Sequence, residues 1–197
     1  THAVRRHARP TGPRHYRPLT AEAVSNLRSA NDLGDPVIMK ASGGGGGRGM
    51  RVVQTDASLL NAISATQSEA LAAFGNGQVY MEKFLEKPRH IEFQVLADSH
   101  GNVLSLGERE CSVQRRHQKM IEEAPSVAVT PKLRKAMGES AVRVARAAGY
   151  VNAGTCEFLL DKSGDFYFLE MTTRIPVDHP VTELGTGTTF VHLHLRI

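Results

Sequence analysis

The stretch Pro36-Val-Ile-Met-Lys40-Ala-Ser-Gly-Gly-Gly-Gly-Gly-Arg48-Gly-Met50 decides how this chain is read. A short apolar run delivers a lysine, and a loop nearly free of side chains follows. Without Cβ atoms in the way, such a loop can lay backbone N–H groups against phosphate oxygens. Lys40 supplies a point charge for the same anion. A flexible linker has a similar composition, but this segment lies between two β-branched apolar runs, Val37-Ile38 and Val52-Val53. No Lys-Ser or Lys-Thr closes the loop, so it is neither a P-loop nor a dinucleotide-binding fingerprint.

Outward from the loop, the pattern alternates between strands and helices. Val37–Ala41 and Met50–Gln54 read as strands, and so do Gln78–Phe84, His90–Ala97 and Val103–Leu106. Thr20–Ala30 predicts a short helix with Thr20 as its cap. Asp56 caps a second helix with a stripe of Leu60, Ile63, Ala70, Leu71 and Phe74, stopped by Gly75. Thr130-Pro131 opens a third, with Leu133, Met137, Ala141, Val144 and Ala148 on one side and Gly149 at its end. Residues 1–18 hold three prolines among arginines and histidines and predict little order. Mixed strands and helices with hairpins make α+β the expected class.

The composition sets further bounds. At 197 residues and 41% hydrophobic content, the chain can bury one core or two small ones. Its net charge of +4 is concentrated in Arg5, Arg6, Arg9, Arg14 and Arg17, so the remainder is near neutral and a nucleic-acid face is not indicated. No apolar run is long enough for a membrane span. Cys111 and Cys156 do not make a disulfide framework, which points to a reducing compartment. The start lacks the apolar segment of a secretory signal. Its arginine-rich, acid-poor composition fits an organellar transit piece, a tail or the frayed end of a fragment.

The segment with the clearest chemistry is a hairpin, Thr155–Leu160 returning as Phe166–Met171. A two-residue loop between Asp161 and Gly164 sets Phe158 opposite Tyr167 and Glu157 opposite Phe168. Glu170 then lies diagonal to Glu157 on the same face, roughly 7–8 Å away. Thr172 and Arg174 continue that face by the period of two. Two carboxylates so close repel unless a cation or a proton sits between them. A Mg²⁺ carrying nucleotide phosphates is the economical occupant; ordinary acids on a solvated face are the alternative.

The residues then match a known family. Lys40-Ala-Ser with the glycine run, Met81-Glu-Lys-Phe-Leu85, Arg89-His-Ile-Glu92, Cys111-Ser-Val-Gln-Arg-Arg-His-Gln-Lys119, Glu170-Met-Thr-Thr-Arg174-Ile and His179-Pro180-Val-Thr-Glu183 resemble biotin carboxylase, the ATP-grasp component of acetyl-CoA, propionyl-CoA and pyruvate carboxylases. The resemblance covers roughly residues 34–187 and implies a partial ATP-grasp fold. Its implied domains are a basic segment at 1–18, a lid subdomain at 19–84 and part of the C-terminal subdomain at 85–197. It implies that Lys40 contacts nucleotide phosphates, that Gly46 and Gly47 belong to the closing lid, and that Glu82, Lys83, Phe84 and Leu85 read the adenine edge. His90, Gln114 and His117 resemble residues around ribose and phosphates. Glu157 and Glu170, with Thr172, resemble the metal ligands. Lys119, Arg174 and Val177 resemble the bicarbonate pocket, and Asp178 stands at the position of the base. By itself His117 reads as part of a solvated charge run, and Cys111 as a packing residue.

What the resemblance implies is a ligase of bicarbonate, ATP and protein-bound biotin, with Mg²⁺ or Mn²⁺. The reaction would run through carboxyphosphate, as in the first step of fatty acid biosynthesis. Implied partners are a biotin carboxyl carrier protein or domain and a carboxyltransferase component, within a homo-oligomeric parent. The implied location is the cytoplasm, or the mitochondrial matrix or a plastid in a eukaryote. Three positions depart from the family pattern: Thr172 for asparagine, Pro176 for glutamine and Asp178 for glutamate. These lead to the expectation that nucleotide binding survives better than carboxylation. The alternatives are a nucleotide-binding module without carboxylation and another ATP-grasp ligase, such as a carbamoyl-phosphate synthetase.

Overall fold

The computed structural model describes residues 14, 15, 19, 23–34, 36–44, 49–116 and 118–197. They divide between two compact units, Gly12–Glu86 and one that holds Lys87–Ile197. Among the described residues, no helix is long and apolar enough to cross a membrane.

The Gly12–Glu86 unit contains β1 (Arg14–His15), α1 (Ala23–Leu33), β2 (Val37–Ala41), β3 (Met50–Val53), α2 (Asp56–Phe74) and β4 (Val79–Lys83). Its antiparallel sheet has the order β1-β4-β2-β3. Alternation along β2 buries Val37, Met39 and Ala41, which pack with Met81 of β4 and Leu59, Ile63 and Ala70 of α2. β2 and β3 pair antiparallel, and the pairing carries on to Ala41 and Gly49. The Ala41 amide donates to the Gly49 carbonyl at 2.8 Å, and Gly49 sits at φ +68°. A Cβ there would lie 2.8 Å from the Ala41 Cβ, so this position requires glycine on steric grounds as well.

The second unit is built on β5 (Arg89–Ala97), β6 (Val103–Glu110), β9 (Asn152–Leu160) and β10 (Phe166–Thr172), an antiparallel sheet of order β10-β9-β5-β6. A short ribbon, β7 (Gln114–Arg115) with β8 (Gln118–Lys119), follows β6. Helices α3 (Pro131–Ala147), α4 (His179–Thr186) and α5 (Phe190–Arg196) complete the unit. Thr130 caps α3 by accepting from the Leu133 amide, and Pro131 takes the first turn, where no amide donor is needed. The α3 stripe of Met137, Ala141, Val144 and Ala145 covers one sheet face, formed by Ile91, Phe93, Val95, Cys156 and Phe158. Phe158 meets Phe93, Phe166 and Phe168 edge-on at centroid distances of 6.0, 5.7 and 5.9 Å, the arrangement that aromatic quadrupoles favour.

Several sequence expectations need correction. The hairpin loop is longer than two residues: Leu160 pairs with Phe166 and Phe158 with Phe168. The Asp161 carboxylate accepts from the Ser163 and Asp165 amides and organises the longer turn. A bulge between Phe168 and Glu170 then sets Glu170 directly opposite Glu157, not diagonal to it. In α2 the buried stripe is Leu59, Ala62, Ile63, Thr66 and Ala70, whereas Leu60 and Leu71 are exposed. The N-cap of α2 is Thr55, with Asp56 already helical. Helix α1 runs on to Leu33, and β6 extends to Glu110. Arg14–His15 forms a strand on the open edge of β4, within a segment expected to lack order. Thr20, Gly46, Gly47 and His117 lie outside the described residues.

Candidate active site

The face of the second sheet away from α3 is polar, and its middle is buried, while Glu170 at the β10 edge is exposed. Register puts one residue from each strand in a single row: Glu170 opposite Glu157, Glu157 opposite Glu92, and Glu92 opposite Arg109. Directly opposed residues share a sheet face, with Cβ atoms about 4.5–5.5 Å apart. The period of two brings His90 and Gln94 of β5, Thr155 of β9 and Thr172 of β10 onto the same face. Glu92, Gln94, Arg109 and Thr155 are at most 1% exposed and Glu157 is 7% exposed. Charges buried this deeply persist only when paired and hydrogen-bonded.

Arg109 supplies the pairing. Its Nε and Nη2 donate to Glu92 Oε1 at 2.8 and 2.5 Å, and its Nη1 donates to Gln94 Oε1 at 2.9 Å and to Thr182 Oγ1 of α4 at 2.6 Å. Lys119 of β8 donates to the other Glu92 oxygen. Burial alone would push the Glu92 carboxyl up; Arg109 and then Lys119 outweigh it and hold the carboxyl below its usual range. Burial likewise disfavours charge on Lys119, and Glu92 and Glu157 reverse that and raise its pKa. Lys119 Nζ also stands 3.8 Å from Glu157 and 3.6 Å from Asp178, so one ammonium faces three carboxylates.

Around Glu157 the partners are fixed. Gln114 Nε2 donates to His90 Nδ1 at 2.9 Å and to the Cys111 carbonyl at 2.8 Å. With Nδ1 accepting, the proton sits on Nε2, which donates to Glu157 Oε2 at 2.8 Å. Thr172 Oγ1 donates to Glu157 Oε1 at 3.0 Å. Against burial, the His90 hydrogen bond and the Lys119 charge keep the Glu157 carboxyl low. Glu157 with Thr172 at its side offers hard oxygen donors, and register sets the exposed Glu170 opposite Glu157 on the neighbouring strand. That chemistry fits Mg²⁺ or Mn²⁺.

Asp178 and Glu122 close the polar face. Asp178 Oδ1 lies 3.7 Å from Arg109 Nη2, and Glu122 Oε1 lies 3.3 Å from Arg109 Nε. Burial raises the Glu122 carboxyl to about 8, helped by the negative charges of Glu92 and Asp178. Burial and the Glu92 charge push the Cys111 thiol far up, which suits a packing role and not a nucleophile.

Sequence reasoning named His90, Gln114, Lys119, Glu157, Thr172 and Asp178, and the structure brings these into one cluster. Glu170 enters it through the strand register. Arg174 is exposed and donates to the Ile175 carbonyl at 3.5 Å, and Val177 is 92% exposed. In the Gly12–Glu86 unit, Lys40 pairs with Glu82 at 2.7 Å, Lys83 donates to the Gly34 carbonyl at 2.8 Å, and the Phe84 amide donates to the Pro36 carbonyl at 2.9 Å. Leu85, the last of that segment, is half-buried. Sequence reasoning missed Glu92, Arg109 and Glu122 as members of the cluster. The run His90, Glu92, Gln94, polar at every second residue, carried a usable signal. Arg109 carried none, because its position depends on the bulge at Gly107.

The family pattern described as carbamoyl-phosphate synthase L chain, ATP binding domain, matches residues 2–197. A biotin carboxylase of a Nostoc species is 57% identical over 179 residues, which is 91% of this chain and 40% of that protein. The biotin carboxylase of Campylobacter jejuni, solved as a β-γ-ATP complex, superposes with a TM-score of 0.93 at 47% identity, over 100% of this chain and 44% of that one. The biotin carboxylase domain dimer of Hydrogenobacter thermophilus 2-oxoglutarate carboxylase, solved with MgADP, ADP and bicarbonate, gives 0.91 at 45% identity, over 100% of this chain and 43% of that one. The chain thus spans under half the length of these relatives.

Proposed function

The chain belongs to the family of carbamoyl-phosphate synthase L-chain ATP-binding domains, and on that premise we propose that it is the nucleotide- and bicarbonate-handling part of a biotin carboxylase. The observation that carries this reading is the convergence of Lys119 on Glu92, Glu157 and Asp178 beside a pair of opposed carboxylates. Lys119, the partly exposed cation among these carboxylates, is the group that a small anion next to a carboxylate base would meet. The adjoining oxygens suit the cation of a metal–nucleotide complex.

Each residue then has a task. Glu157, Glu170 and Thr172 hold Mg²⁺ or Mn²⁺, with His90 orienting Glu157 and Gln114 orienting His90. The ion supplies charge neutralisation at the transferring phosphoryl group. Lys119 and Arg174, with the Val177 backbone, hold bicarbonate. Asp178 takes its proton as the oxygen attacks the γ-phosphorus of ATP and ADP leaves. Arg109 keeps Glu92 charged, and Glu92 fixes the Lys119 ammonium. In the other unit, Lys40 and the glycine loop, including Gly46 and Gly47, bind phosphates, and Glu82 to Leu85 bind adenine; His117 adds a ribose or phosphate contact. The carboxyphosphate so formed would carboxylate biotin on a carrier protein or domain, with phosphate as the leaving group and as the acceptor of the ureido proton. A carboxyltransferase component would use the product, and the parent would be homo-oligomeric.

The test is phosphate release from ATP that requires both bicarbonate and free biotin, beside calorimetry with ATP and Mg²⁺. Failure to bind the metal–nucleotide complex would sink the proposal. A second reading, nucleotide binding without carboxylation, is favoured by the segment 172–178. Buried Pro176 offers only its carbonyl, which accepts from His179 at 2.7 Å, and Asp178 is a short carboxylate. Metal–nucleotide binding with no bicarbonate-dependent turnover would select that reading.

A further inference from the structure

Three carboxylates stand together on the polar face: buried Glu92 from β5, and half-buried Glu122 after β8 and Asp178 ahead of α4. One oxygen of each lies within 4.8 Å of the others. Their charged neighbours are Arg109 from β6 and Lys119 from β8, and the Cys111 thiol follows β6. Glu92 uses both cations at hydrogen-bonding range, Asp178 sees them at 3.6–3.7 Å, and Glu122 Oε1 stands 3.3 Å from Arg109 Nε without a hydrogen bond. Both oxygens of Glu122 and Oδ1 of Asp178 are buried with no hydrogen-bond donor, although the two side chains are only 10% and 9% exposed.

Orphaned acceptors of this kind are expensive when charged, and a single shared proton removes the expense. A carboxylic acid converts an acceptor into a donor, and Glu92 and Asp178 each offer a carboxylate oxygen within 4.8 Å. With two cations already seated there, a proton and not a metal ion is the missing positive charge.

We propose that Glu122 is held as a neutral acid that shares its proton with Glu92 and Asp178, and that this hydrogen bond positions Asp178 with one oxygen free to face the substrate. The role of Asp178 rests on the function proposed above; the protonation of Glu122 does not. Glu122 is thus a positioning residue, and it keeps a pocket for anions from carrying one more negative charge. Raising the pH through about 8 would ionise it and close the pocket to anions by repulsion.

Infrared spectroscopy of the ligand-free protein tests this directly. The carbonyl stretch of a buried, protonated carboxyl should be present at neutral pH, disappear with a midpoint near 8, and be missing in Glu122→Gln. Glu92, Glu110 and Glu157 are held anionic and do not contribute. Absence of the band in wild type at neutral pH, or its persistence in Glu122→Gln, would overturn the proposal. Should Glu122→Gln fail to fold, the wild-type band and its midpoint decide alone. As the second readout, bicarbonate-dependent ATP turnover should lose its alkaline decline in Glu122→Gln, which retains a donor, and should fall further at neutral pH in Glu122→Ala than in Glu122→Gln. An unchanged alkaline limb in Glu122→Gln counts against the positioning role. A titrating band without any turnover upholds the proton and removes the function assumed for Asp178.

Discussion

Replacing Arg109 by methionine isolates the electrostatics of the polar face. The change keeps much of the apolar stem and removes a guanidinium that is 0% exposed. Four hydrogen bonds of 2.5–2.9 Å disappear, two of them to the Glu92 carboxylate. Breaking a buried ion pair costs about 3–5 kcal/mol because the remaining charge is left uncompensated. Glu92 retains Lys119, which places the loss near the lower end, about 3 kcal/mol. With a urea slope of about 2 kcal/mol/M, the unfolding midpoint should fall by about 1.5 M. The loss should also depend on pH. In wild type the Glu92 carboxyl is held low, so its contribution is present above about 4.5 and lost as pH falls through the lower folded value. In the variant the lowering by Arg109 is gone and the carboxyl moves up from its wild-type position, so less of that contribution is present above 4.5. The gap between the two proteins should therefore be small in acid and widen toward neutrality. Glu92→Met combined with Arg109→Met should recover part of the loss, since an apolar pair leaves no stranded charge. A midpoint unchanged by Arg109→Met, or lowered equally at acid and neutral pH, would refute this account.

Other outcomes follow from the same structure. Glu157→Gln should weaken binding of ATP with Mg²⁺ at least about tenfold, or ~1.4 kcal/mol by calorimetry, and leave metal-free ADP binding little changed. Asp178→Glu restores the missing methylene and should raise bicarbonate-dependent carboxylation by up to about a hundredfold; equal rates would mean that chain length at this position does not limit the reaction. Gly154→Ala places a Cβ 2.8 Å from Tyr150 Cε1 and 3.2 Å from the Thr172 carbonyl, and overpacking should cost about 1–3 kcal/mol in a urea titration.

The sequence was most informative where a local rule had one outcome. Thr130-Pro131 can only begin a helix of this kind, and Ile91, Phe93 and Val95 fall to one face by alternation alone. The family motifs carried the cluster members His90, Gln114 and Lys119. What escaped reading was whatever a bulge decides. The hairpin turn was placed one residue short, and the irregularity at Phe168/Glu170 turned a diagonal pair into a direct one. The α2 stripe failed for another reason. Its sequence is alanine-rich, so several angular windows are nearly equally apolar, and tertiary contact chose Leu59 over Leu60. Glu92 and Arg109 look like surface charges because their burial depends on α4 and the segment after β6 covering the second face.

The irregularity in β10 also separates two parts of the hairpin that would otherwise move together. Slack at Leu169 lets the Asp161–Asp165 corner set the pairing of Phe166 and Phe168 while Glu170 and Thr172 follow a count of their own. Lengthening or shortening that corner by a residue can therefore be absorbed before it reaches the acids, so this surface is tolerant ground for insertions, tags or natural drift.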